Sequence, residues 1–425
     1  MVQADKFLRF DKLQGIIKLK RNRSFKGKGM EKVPKDEVQG RIRAFQSILD
    51  REDLDGAFIL QNVDIYYFSG TLQRSVLFIP RKGNPVLAAI KSFHRAKEES
   101  PLKVVVPVGT SNGIVPILRE HGCTEMGTLG LEMDVLPTNQ YLWYQRCFPD
   151  SRWVDIAPQI RRLRMIKSPY EVEQIKKATA ILDKGLKEIR GVIREGMTEL
   201  EVDGHLALIA RREGHMGILR MRGWNQEMTY AHVLAGESGA VVSFCDTPHG
   251  GSGNTPAMAQ GAGFRRIRRN EPIGIDYGVG VNGYVSDQFR TFVIGSLPEH
   301  LERAHECTRR IHDLLVREGK PGISCADLYH MAEAEATRAG YEDFFMGHGE
   351  GKVKFIGHGL GLEIDELPII TPDFSEPLKE GMVIALEPKF IFPGLGVVGL
   401  EDDYLVTPSG LERLTLTDQT IMTVC

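Results

Sequence analysis

Apolar residues recur along the chain with two periods. Ile42, Phe45 and Ile48 fall on one face of a helix, and the unbroken run Gly56-Ala57-Phe58-Ile59-Leu60 that follows has the length of a buried strand. RSVLFIP (74–80), NPVLAAI (84–90) and LKVVVPVG (102–109) are further short apolar runs separated by turn residues. GIVPILREHG (113–122) reads as a helix among them, and MGTLGLE (126–132) returns to the sheet. Alternation of short strands with helices predicts a first α/β domain ending near residue 165.

The next segment carries a helix-start signal. In RMIKSPYEVEQIKKA, Ser168 is placed to cap, Pro169 suits a first turn, and Glu171 stands three residues after the serine, as in a capping box. Ile175, Ala178, Leu182 and Ile189 continue at helical spacing. Two more helices are expected, from 296 and from 324, each with a serine start and a glycine stop. Strand-like runs lie between and after them, which predicts a second domain of α+β type. The expected divisions are a basic extension over 1–30, an N-terminal α/β domain over 31–166 and a catalytic domain over 167–425.

Composition narrows the class. The 425 residues carry 54 Lys and Arg against 56 Asp and Glu, so there is no bulk charge to attract nucleic acid or an anionic membrane. The basic stretch 12–28 lacks interleaved aromatics suited to stacking on bases and reads as a solvated arm. The six cysteines are scattered without a CxxC pair, which argues against a disulfide framework and suits a reducing compartment. No run of about 18 uncharged apolar residues marks a membrane span. A cytoplasmic protein with no nucleic-acid or membrane partner is expected.

Chemistry concentrates in the second domain. Asn282-Gly283 is a strong two-residue hairpin turn, which would pair 281 with 284, 280 with 285 and 278 with 287. Asp276 then shares a face with Asp287 and lies diagonally across from it. Two carboxylates so placed repel each other unless a cation fills the gap. His358, between Gly357 and Gly359 in KFIGHGLGLEIDELP, offers a directional nitrogen where backbone or substrate can approach closely. Glu387 ends one apolar run and Glu401 lies in another, where burial without a partner would be costly; the second run offers no nearby basic residue before Arg413. Two aspartates, two glutamates and one histidine are a donor set able to hold two divalent ions and a bridging water.

The ordered set Asp276, Asp287, His358 in GHGLGLE, Glu387 in ALEPKF and Glu401 in GLEDDYLVT resembles the creatinase/prolidase/methionine aminopeptidase superfamily, the pita-bread metallopeptidases. RMIKSPYEVEQIKKA and DIYYFSG are similar to motifs of its proline-specific members, and the likeness spans residues 35 to 420. It implies a pita-bread catalytic domain behind a smaller creatinase-like N-terminal domain. It also implies a homodimer and an Xaa-Pro dipeptidase or aminopeptidase activity on short peptides. By the same resemblance Asp276 and Asp287 hold one ion, Asp287, His358, Glu387 and Glu401 hold the other, and Glu387 shuttles protons. Manganese is expected, with cobalt, zinc or iron compatible with the same donors.

Three positions depart from the prolidase pattern. Asp365 stands where relatives carry a second histidine thought to steady an oxyanion. An ionised carboxylate accepts hydrogen bonds but donates none. Gly399 stands where they carry arginine. His249, in a PHG context, comes about ten residues too early for the upstream family histidine; either it is displaced on an insertion, or the role is empty with Ala259 near the expected place. Trp224, Tyr230, His232 and His249 lie in a Gly-rich stretch that reads either as a wall facing substrate or as an ordinary structural excursion. A hydrolase or lyase acting on a non-peptide amide or small metabolite is the nearest alternative activity, and a binding protein on the same fold the non-enzymatic one.

Overall fold

Helix α1 (Lys35–Arg51) buries Val38, Ile42, Phe45 and Leu49, a single stripe at spacings of four, three and four. It leads into β1 (Gly56–Ile59), all four residues of which are buried. The computed structural model describes residues 31–424 apart from 111, 112, 125 and 230. The basic stretch 12–28 and Tyr230 therefore lie outside the described residues. Strands β2 (Ser75–Pro80), β3 (Val86–Ala89), β4 (Val104–Pro107), β5 (Thr128–Leu131) and β6 (Arg152–Asp155) complete a sheet ordered β4-β3-β2-β1-β5-β6. It is mixed: β1 runs antiparallel to β2 and parallel to β5. Helices α2 (Asn62–Ser69), α3 (Phe93–Glu99), α4 (Ile114–Glu120), α5 (Thr138–Cys147) and α6 (Ala157–Met165) connect the strands and lead out of the sheet.

Two residues separate α6 from the cap of α7 (Pro169–Ile189). The expected capping box is formed, with Ser168 Oγ accepting from the Glu171 amide and the Glu171 carboxylate accepting from the Ser168 amide. After α8 (Glu199–Glu213), strands β7 (Ala231–Ala235), β8 (Ile273–Val281) and β9 (Tyr284–Ile294) join β17 (Met422–Val424) in one sheet. The β8–β9 hairpin has the expected register: Val281 faces Tyr284, Gly280 faces Val285 and Gly278 faces Asp287. Asn282 and Gly283 both take positive φ, 50° and 93°, as a type I′ turn requires.

Helices α9 (Glu299–Glu318) and α10 (Cys325–Arg338) precede a second sheet built from β10 (Gly357–Gly359), β11 (Glu366–Ile369), β12 (Val383–Leu386), β15 (Asp402–Thr407) and β16 (Gly410–Arg413). Between β12 and β15 the chain forms a separate two-stranded ribbon, β13 (Lys389–Phe392) with β14 (Gly396–Gly399). One apolar core joins α7 and α8 to the first catalytic sheet, and another joins α9 and α10 to β12 and β15. The serine start expected at 296 is not used. Helix α9 begins behind Pro298, whose ring fixes the backbone ahead of the first turn and supplies no side-chain cap. Ser324 does cap α10.

The two halves share a continuous core that includes Phe45, Phe68, Tyr284, Leu360 and Val383. A buried ionic network reinforces it. Arg164, at the end of α6, lies 2.8 Å from Asp64 on α2 and 2.9 Å from Glu363, and also donates to Glu366. Lys167 reaches Glu366 at 3.2 Å, and Arg222 reaches Asp64 at 2.7 Å. Two acceptors of Arg164, Glu363 and Glu366, flank Asp365, so this network fixes the loop that carries it.

Candidate metal centre

Asp276 and Asp287 project from neighbouring strands of one sheet, and His358 from β10 of the other. Glu387 follows β12, and Glu401 lies between β14 and β15. All five line one cavity of about 170 Å³, which Asp365 and His232 also border. Among the described residues, Asp287, His358 and Glu401 each offer a ligand atom, all within 4.8 Å of one another.

The surrounding contacts hold these side chains in place. Asp403 accepts from Ser286 Oγ at 2.6 Å and from the Asp287 amide at 3.1 Å. The fully buried Arg290 donates to the Glu401 carbonyl at 2.6 Å and pairs with Asp402. His312 Nε2 lies 3.0 Å from the Leu400 carbonyl, which fixes the backbone just ahead of Glu401. His358 Nδ1 is 3.1 Å from the Gly359 carbonyl and 3.6 Å from Asp365, and its Nε2 is 3.5 Å from Glu387. Burial alone would lower the His358 pKa, but Asp365, Glu387 and Glu401 outweigh it and push it up to about 9.

His249 does reach this cluster, its Nε2 lying 2.9 Å from Asp276 Oδ2. Burial, with the nearby Lys389 cation, holds its pKa down at about 4. His232 is carried by β7 directly opposite Asp276. Trp224, by contrast, is 87% exposed. Of the described members of that stretch, the two histidines meet the cluster and the tryptophan faces solvent.

One residue in the centre was not anticipated as part of it. Lys389, fully buried, donates to Glu387 at 2.7 Å, to Glu401 at 2.8 Å and to Asp276 at 3.2 Å. The expectation that Glu401 has no basic neighbour before Arg413 is therefore corrected. Lys389 pairs with Gly399 across the β13–β14 ribbon, two residues from Glu401, whereas Arg413 approaches Asp402 instead. A signal was present: residues 387 and 389 of an extended chain face the same side, and a lysine followed by buried Phe390, Ile391 and Phe392 requires an anionic partner.

The electrostatics divide the centre. Burial would raise the Asp276 pKa, but Lys389 and His249 hold that carboxyl ionised. Asp287 goes the other way, raised by burial and then by repulsion from Glu401, Asp276 and Asp403. Glu401 is likewise raised, chiefly by burial, although Lys389 opposes this. A cation among Asp287, His358 and Glu401 would relieve that repulsion, so these donors fit one divalent ion. The Asp276 side of the centre already has its positive charge.

The description of metallopeptidase family M24 matches residues 173–408, and that of the creatinase/prolidase N-terminal domain matches 41–166. An Xaa-Pro dipeptidase of Pyrococcus furiosus is 31% identical over 387 residues, spanning 91% of this chain and 100% of that protein. The crystal structure of the prolidase from Pyrococcus horikoshii OT3, 26% identical, superposes with a TM-score of 0.75 over 89% of this chain and 99% of that one. The X-Pro aminopeptidase from Thermotoga maritima MSB8, 24% identical, shares the fold with a TM-score of 0.76 over 90% of this chain and 99% of that one. The chain belongs to metallopeptidase family M24, with a creatinase/prolidase-type N-terminal domain ahead of a pita-bread catalytic domain.

Proposed function

We propose that this chain hydrolyses the amide bond after the N-terminal residue of short peptides, in the manner of an Xaa-Pro dipeptidase or aminopeptidase. The observation that carries the reading is the convergence of Asp287, His358 and Glu401 in a cavity also lined by Glu387 and Asp365. At about 170 Å³ the cavity lies below the usual range of drug-sized ligand pockets, which favours a substrate of dipeptide size. Kinship with the Xaa-Pro dipeptidase of Pyrococcus furiosus supports the same class.

Asp287, His358 and Glu401 would hold a divalent ion, with Glu387 beside them. Such an ion, manganese being the first candidate and cobalt, zinc or iron also suited, would polarise the scissile carbonyl as a Lewis acid. Glu387 keeps one carboxylate oxygen on Lys389 and turns the other toward His358, where it can take a proton from attacking water and pass it to the leaving amine. His249 steadies Asp276. Asp365, half exposed at the rim, can hold the substrate's ammonium group.

Asp365 and Gly399, standing where the prolidase pattern leads to histidine and arginine, favour a second reading, hydrolysis of a small non-peptide amide. A homodimer is proposed from the family likeness, and a cytoplasmic setting from the scattered cysteines without a CxxC pair. No helix among the described residues is long and apolar enough to cross a membrane.

Xaa-Pro dipeptides, a tripeptide with proline second and a panel of small amides, assayed before and after chelation, test the proposal. Dipeptide turnover that is lost on chelation and restored by manganese is expected. Turnover confined to small amides would establish the second reading, and turnover indifferent to chelation would overturn metal dependence.

A further inference from the structure

The four carboxylates and one histidine expected to hold two ions have a sixth residue among them. Lys389 Nζ lies within hydrogen-bond distance of three carboxylates from different parts of the catalytic domain: Asp276 on β8, Glu387 after β12 and Glu401 before β15. An ammonium has three protons to donate, and here three acceptors are present. The side chain is fully buried, and its charge lies 5.1 Å from the centre of the Phe289 ring. Its stem crosses the backbone of Gly399 so closely that a Cβ on that residue would lie 2.6 Å from Lys389 Cγ.

We propose that the Lys389 ammonium is a built-in cation occupying the place of one of the two divalent ions, so that the chain takes up at most one, at Asp287, His358 and Glu401. A divalent ion bonds carboxylate oxygens at about 2.0–2.2 Å. The expected ion between Asp276 and Asp287 would therefore bring a second positive charge against Asp276, whose Oδ2 already faces Lys389 Nζ at 3.2 Å and His249 Nε2 at 2.9 Å. Rotating the lysine away would strip a fully buried charge of its three carboxylate partners. Asp276 is thus withdrawn from metal binding, held between Lys389 and His249. Of the four donors that remain, Asp287, His358 and Glu401 have ligand atoms that converge.

This inference rests on the same centre as the proposed peptidase activity, but its test reads ion number rather than turnover. Chelated wild type and Lys389→Ala are equilibrated with excess manganese, and bound metal per chain is measured by plasma mass spectrometry and by calorimetric titration. The variant is expected to bind one ion more than wild type. Equal uptake by the two proteins, or two ions in wild type, would overturn the inference. No ion in wild type and one in the variant would uphold it while removing the metal-dependent activity proposed above. Should Lys389→Ala fail to fold, anomalous scattering from wild-type crystals soaked in manganese decides the matter: a single peak touching Asp287, His358 and Glu401 supports the inference, and a peak touching Asp276 refutes it.

Discussion

Replacing Gly399 by alanine should be costly only while Lys389 is present. The new Cβ would meet Lys389 Cγ at 2.6 Å, its Cβ at 3.0 Å and its Cα at 3.1 Å, whereas ordinary contact begins at 3.4 Å. The obstructing atoms lie near the backbone and have little freedom. Lys389 and Gly399 are paired across the ribbon, and Nζ is anchored to three carboxylates. Overpacking without relief costs about 1–3 kcal/mol. In a Lys389→Gly background two of the three contacts vanish and only the Cα at 3.1 Å remains, so the same substitution should cost less than about 1 kcal/mol. The double-mutant cycle therefore predicts a coupling of about 1–2 kcal/mol. Urea unfolding of the four proteins, followed by tryptophan fluorescence with a chelator present, measures it without any contribution from ion binding. Costs that add to within about 0.5 kcal/mol would show that the two residues do not obstruct each other and would refute the packing argument.

Removing Arg164 as Arg164→Ala leaves Asp64, Glu363 and Glu366 buried with less compensation, so destabilisation of about 3–5 kcal/mol is expected in urea; a loss below about 1 kcal/mol would show that Lys167 and Arg222 suffice. Glu366 has its pKa lowered to about 2 from an ordinary 4.5, because Arg164 and Lys167 overcome the upward push of burial. Its contribution to stability is thus fully present above pH 4.5 and is lost as pH falls toward 2. Unfolding measured from pH 6 to about 3 should show a shallower acid loss in Glu366→Gln than in wild type, and identical slopes would remove Glu366 from the account. Capping the α-amine of a dipeptide substrate by acetylation should lower kcat/KM at least about tenfold in wild type and less in Asp365→Asn; equal losses would mean that Asp365 does not face the amine.

Much of this arrangement was legible because it follows from local chemistry. Asn282-Gly283 has few conformations available other than a tight hairpin, and that turn alone fixes which residues of β8 and β9 face one another. The Ser168 capping box is similarly local, needing only three residues of spacing. The short strand carrying His232 escaped notice because its five residues sit in a Gly-rich stretch, and its pairing with β8 is a tertiary fact. His249 looked misplaced by counting residues. The chain between it and β8 loops back, and sequence distance carried no information about the 2.9 Å contact with Asp276. Lys389 was the largest omission. Its charge demanded a partner, yet three partners separated from it by 2, 12 and 113 positions could be assembled only by folding both sheets.

One of the departures from the expected prolidase pattern, Gly399, has a geometric counterpart in Lys389. The family resemblance leads to an arginine at the position of Gly399, but any side chain there begins with a Cβ 2.6 Å from the stem of Lys389. The ribbon can thus carry a large cation on one strand and a side chain opposite it only with overpacking. A glycine at 399 therefore accommodates the lysine at 389. The electrostatic consequence extends to Asp365. A lysine brings one positive charge where a divalent ion would bring two, and Asp365 adds a carboxylate on the other side of His358. Both changes make the cavity more negative than a two-ion centre with a histidine at that position. A more negative cavity stabilises positive charge on whatever enters and disfavours negative charge developing on its carbonyl. Substrate selection by an ammonium group and a single-ion centre, as proposed above, would thus be two expressions of the same charge balance.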